Sequence, residues 1–373
     1  MQKAETISNI KPLQRVSTEF VSSELTLIKK LIWSYFLLLL FEGALRKWFL
    51  PGLSQGLLIV RDPIAVWIYY IAYNQGLLSL QNKYIQALIR WTLLCGVISF
   101  VGQAHPLTIA YGMRTSLLHF PLIFVMGRVL SWEDVISFGK AFLILALPMT
   151  WVVAQQFQAD RFDIMNVASG GTGHQMMTSG DKVRASGTFS FISGIVFYYC
   201  FSIAFVIYGF LKKGVFPKWL LYLGTGATFL AMVTAGSRSV IAESLQVFAC
   251  LGFLAYYKPG EFGKITASTF FLLVIVLFLY SQIDLFQDGL AFLSMRFEEA
   301  ANVEGNPIEA YFGRYWEIIY SPFRSLNFQS LSGWLGNGIG SGTRAGAALG
   351  RGYGFELEWN RHIFENGAVL GLI

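Results

Sequence analysis

Apolar runs of about twenty residues recur along the chain, at 31–50, 56–74, 85–103, 107–129, 137–157, 188–211, 218–235, 238–257 and 265–283. Each is close to the roughly 20 residues that a helix needs to cross a hydrocarbon core of about 30 Å. The pattern predicts an all-α, polytopic transmembrane helical bundle of about nine helices over residues 31–284, preceded by a polar cytoplasmic segment, 1–30. Two longer polar intervals interrupt it, an outer loop at 158–186 and a large, helical extracytoplasmic loop at 285–361. A further apolar run begins near Arg361 and stops at Ile373, so 362–373 reads as the start of a truncated transmembrane helix, with at least one more helix expected to follow.

Composition and charge refine this picture. The chain is 54% hydrophobic and only 13% charged, against about 25% charged residues in soluble domains. Its formal net charge of +6 is not the mark of a nucleic-acid binder, because the lysines sit in short segments beside apolar spans, where they set orientation. With the basic N-terminus inside, the segments carrying Lys83, Arg128, Lys212, Lys213, Lys218, Lys258 and Lys264 fall on the cytoplasmic side. Both long polar intervals then share the outer face, with Arg46 and Lys47 as the exception to the charge pattern. Cys95, Cys200 and Cys250 all lie within predicted spans and read as small core residues rather than a disulfide framework or zinc site. The apolar run after the polar N-terminus lacks a small-residue cleavage site, so no removable signal peptide is expected.

Candidate chemistry concentrates in 285–361, which holds six Arg, eight Asp or Glu, twelve Gly and no Lys. An interval of this length far exceeds the usual connection of about 4 to 6 residues, and arginine suits bidentate recognition of phosphate or carboxylate. Asn306-Pro307-Ile308-Glu309 reads as an N-cap, a first-turn proline and a capping-box acid, opening an interfacial helix that carries Arg314 and ends at Pro322. The run Gly336-x-Gly338-x-Gly340-x-Gly342 follows no strand–helix nucleotide unit and reads as a flexible turn rather than a phosphate cradle. Arg114 falls near the centre of its span, where an ionisable group is a functional candidate. An ion pair with Glu42 or Asp62 is the equal alternative, and Glu42 and Arg46 have the spacing of an intrahelical pair. Walker and HExxH motifs are missing from the sequence, which weakens ATPase and metallohydrolase readings.

Three groups of residues resemble the bacterial O-antigen ligase and polymerase superfamily, membrane glycosyltransferases that use polyprenyl-pyrophosphate-linked glycans. They are Arg184-Ala185-Ser186-Gly187-Thr188-Phe189; Thr234-Ala235-Gly236-Ser237-Arg238-Ser239; and Arg314-Tyr315-Trp316 followed by Gly336-Asn337-Gly338-Ile339-Gly340 and Glu365-Asn366-Gly367. The resemblance covers roughly residues 180–373. The run Glu42-Gly43-Ala44-Leu45-Arg46-Lys47-Trp48 looks like a subgroup feature, without an assigned role.

The resemblance implies a multi-pass protein of the bacterial inner membrane that polymerises or ligates lipid-linked polysaccharide on the extracytoplasmic face, with polymerisation the preferred reading. It implies inversion at the anomeric carbon without metal or cofactor. The partners are then the polyprenyl-pyrophosphate-linked glycan donor, a glycan or lipid A core acceptor, the bilayer and a regulator of chain length, with no nucleic acid. Arg238 and Arg314 would clamp the pyrophosphate, while a snorkelling interfacial arginine and a helical pair with Glu317 are the plainer readings of these two. Arg184, Arg114 and Arg344 are further substrate-binding candidates. Family members place a His about nine residues before the Glu of the final Glu-x-Gly motif, where this chain has Glu356. The acid–base candidates are therefore Glu356, Glu358 and His362. The rival class is a transporter or flippase of lipid-linked oligosaccharide, with Arg114 and the Glu42–Arg46 pair on its pathway.

Overall fold

Every apolar run forms helix in a computed structural model of the chain. The structure describes residues 18–102, 104–170, 173, 182–304, 313, 316, 319–324, 326–343, 346 and 358–372. Among these there is no strand, and seven helical stretches are long and apolar enough to cross a membrane. They define a multi-pass helical membrane protein.

Helix α1 (Thr18–Ala44) runs on into a π-helical turn, Leu45–Phe49, and two 3-10 turns, Pro51–Leu53 and Gly56–Ile59, lead into α2 (Asp62–Asn74). Then come α3 (Lys83–Val101), α4 (Pro106–Arg114), a second π-helical turn (Thr115–His119) and α5 (Leu122–Val129). Long helices follow: α6 (Trp132–Gln158), α7 (Ile192–Leu211), α8 (Lys218–Thr234), α9 (Arg238–Tyr257), α10 (Phe262–Gln282) and α11 (Asp284–Glu304). Short helices α12 (Leu331–Leu335) and α13 (Glu358–Leu370) come later in the chain.

Local chemistry explains several starts. The Asn82 side chain accepts from Tyr84 N at 2.9 Å to open α3. Pro106 opens α4 behind His105, whose ring accepts from Leu107 N. Ser131 and Asp134 form a reciprocal capping box at the start of α6. Within the helices, buried hydroxyls of Ser202, Thr225, Thr228 and Ser244 donate to carbonyls one turn back, so no water is needed to satisfy them.

Two packed clusters organise the bundle. In the larger, Leu143, Met149 and Val153 of α6 meet Ile195, Tyr199 and Ile203 of α7 and Leu220 and Ala231 of α8. Thr150 ties these three helices together, sharing a 2.7 Å hydrogen bond with Tyr199 and donating to the Ala227 carbonyl. In the smaller, Ile28 and Ile32 of α1 pack with Ala65 and Ile68 of α2 and Leu122 and Val125 of α5. Large apolar side chains such as Phe197, Phe201, Phe253, Phe270 and Phe278 point outward and are more than half exposed, as lipid-facing residues are.

Two elements extend the predicted pattern. Residues 18–30 of the polar N-terminal segment are helical, because Leu25, Leu27 and Ile28 pack onto the α2–α5 cluster and Lys29 pairs with Asp134 at 2.5 Å. The interval 285–361, expected as a large helical loop, opens with α11, where Phe286 and Leu293 are buried with Val233 and Leu279 of the neighbouring helices. The helix expected from Asn306 begins outside the described residues, while 319–324 are helical.

Helix directions alternate, so one end of the bundle collects the C-termini of α1, α3, α6, α8 and α10, with the segments that follow them. The opposite end holds the Lys29–Asp134 pair, the Arg128 bond to the Leu77 carbonyl and the Trp132–Tyr208 ring contact.

Candidate functional site

At the first end, the Glu42–Trp48 run has a structural purpose: it is the seat for the 184–190 segment. Gly43 lies so close to the backbone of Thr188, Phe189 and Ser190 that a Cβ would overlap it. The Thr188 hydroxyl donates to the Leu40 carbonyl at 2.6 Å. The π-turn then aims two cations at the same segment. Arg46 donates to Ser190 Oγ at 3.0 Å, and Lys47 donates to Ser186 Oγ at 2.9 Å and the Gly187 carbonyl at 2.8 Å. From the other side, the buried Gln156 amide grips Gly187 twice, accepting from its N–H and donating to its carbonyl. Trp48 donates to the Ile164 carbonyl, and Gly170 N donates to the Arg46 carbonyl, so the loop after α6 closes over the turn.

The glycine run and the Glu-Asn-Gly motif form a second unit. Asn337 N and Gly338 N donate to the carbonyls of Phe364 and Glu365, and Gly342 N donates to the Glu365 carboxylate at 3.0 Å. Ile339 N donates to Ser99 Oγ at 2.7 Å, bringing the run onto α3. Gly340, at φ 89°, presses against Thr108 and Gly112 of α4, where a Cβ on either glycine would meet backbone. The expectation of a flexible turn is therefore replaced: these glycines permit backbone-to-backbone packing, and a side chain would separate the run from α4.

Glu365 is 3% exposed, and Arg361 stands 3.8 Å from its carboxylate. His362, one residue on from Arg361, packs edge-on to Trp91 and lies 3.8 Å from Glu358. Both belong to α13, thirteen residues interrupted at Gly367 (φ 69°).

Arg238 is the first residue of α9, half-buried beside Gly236, whose φ is 63°. Phe292 of α11 covers Gly236 and also packs on Phe157 at 5.6 Å, and Lys182 lies over the Phe157 ring at 4.9 Å. One aromatic pair thus joins the Arg238 corner to the segment that leads into the half-buried Arg184. Arg361 binds Glu358 at 2.6 Å, which makes Glu358 an ion-pair partner of the His362 turn. Arg314, Glu356 and Arg344 lie outside the described residues.

Arg114 resolves between its two available partners. It forms a two-pronged pair with Asp62, whose second contact is 2.5 Å, and donates to the Leu58 carbonyl. His119 lies 3.5 Å from the same carboxylate and shares a 2.8 Å hydrogen bond with Tyr35. Glu42 instead bridges Arg46 at 3.5 Å and Arg61 at 2.9 Å. Arg61, His119, Tyr35 and Gln156 were not singled out by sequence. The available signals were Arg61 beside Asp62, and two adjacent glutamines closing an otherwise apolar span.

Comparison of the chain with protein-family models, with curated proteins and with solved structures finds no match in any of the three.

Proposed function

We propose that the chain is a bacterial inner-membrane glycosyltransferase that polymerises or ligates polysaccharide from a polyprenyl-pyrophosphate donor at its outer face. The observation that carries this reading is convergence. Segments 184–189 and 234–239, which bear the resemblance, are linked through Gln156, Phe157 and Phe292, and 336–340 packs on 365–367 and on the C-terminal end of α3.

In the proposed reaction an acceptor sugar hydroxyl attacks the anomeric carbon. The new C–O bond forms as the bond from that carbon to the diphosphate oxygen breaks, and the polyprenyl diphosphate departs with the electron pair. Arg238, aided by Arg184 and Arg314, would neutralise the charge that develops on the leaving group. The hydroxyl proton needs an acceptor. His362, held edge-on to Trp91 and 3.8 Å from Glu358, is one candidate for that task, and Glu356 and Glu358 are the others.

The half-buried ionic network around Arg114 favours the second reading, a transporter or flippase of lipid-linked glycan, because charges within spans often mark solute pathways. One reconstitution separates the two. The full-length protein in vesicles is given a polyprenyl-pyrophosphate-linked oligosaccharide, with or without lipid A core, and product mass is followed by electrophoresis. A ladder on the carrier is expected for a polymerase, and a single addition to lipid A core for a ligase. Glycan that crosses the bilayer with its mass unchanged would replace this reading with transport.

A further inference from the structure

We propose that Arg46, Arg61 and Arg114, gathered between α1, α2 and α4, form an oxyanion-binding site additional to the Arg238 corner. It goes beyond the glycosyl-transfer reading and rests on geometry of its own.

The first observation is a charge imbalance. Glu42 divides its two carboxylate oxygens between Arg46 and Arg61. Asp62 is engaged by Arg114, with His119 at 3.5 Å. Among the described residues, two carboxylates thus face three guanidinium groups. An uncompensated cation between membrane helices is costly, and a bound anion offsets that cost.

The second observation is the backbone. Both π-helical turns of the described chain border this network: Leu45–Phe49 carries Arg46 and Lys47, and Thr115–His119 follows Arg114 directly and carries His119. Such turns insert a residue into a helix, redirect the side chains after it and recur at functional sites. The third is access. Arg61 and Arg114 keep about a fifth of their side-chain surface exposed (21% and 19%), so the network is not sealed within the fold.

Guanidinium forks bind phosphate and carboxylate oxygens alike. The ligand is therefore an oxyanion that could be carried by a lipid diphosphate headgroup or by an acidic sugar. The test measures binding of farnesyl diphosphate, inorganic pyrophosphate and an oligogalacturonate to the detergent-solubilised full chain by calorimetry. It is made in an Arg238→Ala background, so that the other arginine corner does not mask the result. Arg61→Gln should weaken binding at least tenfold, Arg61→Lys should retain much of it, and Glu42→Gln should tighten it by leaving more positive charge unopposed. A purely structural network would not produce that opposite pair of effects. Preference for the two diphosphates would assign the site to a lipid headgroup, and preference for the oligogalacturonate to an acidic glycan. If none of the three binds, or if Arg61→Gln and Glu42→Gln both leave affinity unchanged, the proposal is overturned. Glutamine at either position that shifts affinity, together with a wild-type protein that transfers no sugar when reconstituted, would keep this site and refute the glycosyltransferase reading.

Discussion

Gly43 decides how near α1 can come to the 184–190 segment, because the atoms it faces are backbone and cannot rotate aside. Gly43→Val should therefore lift the segment off its seat, costing about 1–3 kcal/mol as overpacking does, and turnover should fall with it. Thermal unfolding and transfer rate in detergent check both effects. Single residues were partly legible. The ionic character of Arg114 and the Glu42–Arg46 pair followed from spacing and span position, but the choice of Asp62 over Glu42 required knowing which helices touch.

Elements carry the corner around Arg238. Phe292 of α11 is 6% exposed and fills the space between Gly236 and Phe157, so Phe292→Ala should cost about 3–5 kcal/mol. It should also lower the transfer rate without touching substrate. Rescue by Phe292→Leu, measured as recovered melting temperature together with recovered rate, is the expected companion result. The helices themselves were readable because twenty apolar residues leave few alternatives in lipid. What hydropathy missed were helices held by a single buried stripe, as in α11, and the π-turns, which leave no mark in a one-dimensional pattern. The glycine run was misread for a related reason. Glycine is equally suited to a loose turn and to close backbone packing, and only Thr108, Gly112 and Glu365 across the contact tell the two apart.

Across the whole molecule, the order of the helices sets the motif-bearing segments at helix ends opposite to those joined by the lysine-rich connections. In a cysteine-free background, single cysteines at Asp163 and Asn337 should react with a membrane-impermeant maleimide from one side. Cysteines at Lys213 and Lys258 should react only after permeabilisation. Labelling of all four from the same side would break the proposed topology. The candidate site was legible as a set of short segments because glycine and arginine patterns stand out against apolar helices. Their meeting was not legible, since it depends on the seat made by Gly43, Lys47 and Gln156.

The central claim is that the motif-bearing end transfers sugar and that Arg238 holds the departing diphosphate. Its most direct test is the single-turnover rate of full-length wild type and Arg238→Ala in vesicles on one polyprenyl-pyrophosphate-linked oligosaccharide, with folding checked by elution profile and melting temperature. The expected result is a fall of about 10²- to 10³-fold at unchanged stability, the range for removing one charge-stabilising donor. A well-folded Arg238→Ala protein that transfers sugar at the wild-type rate would contradict it.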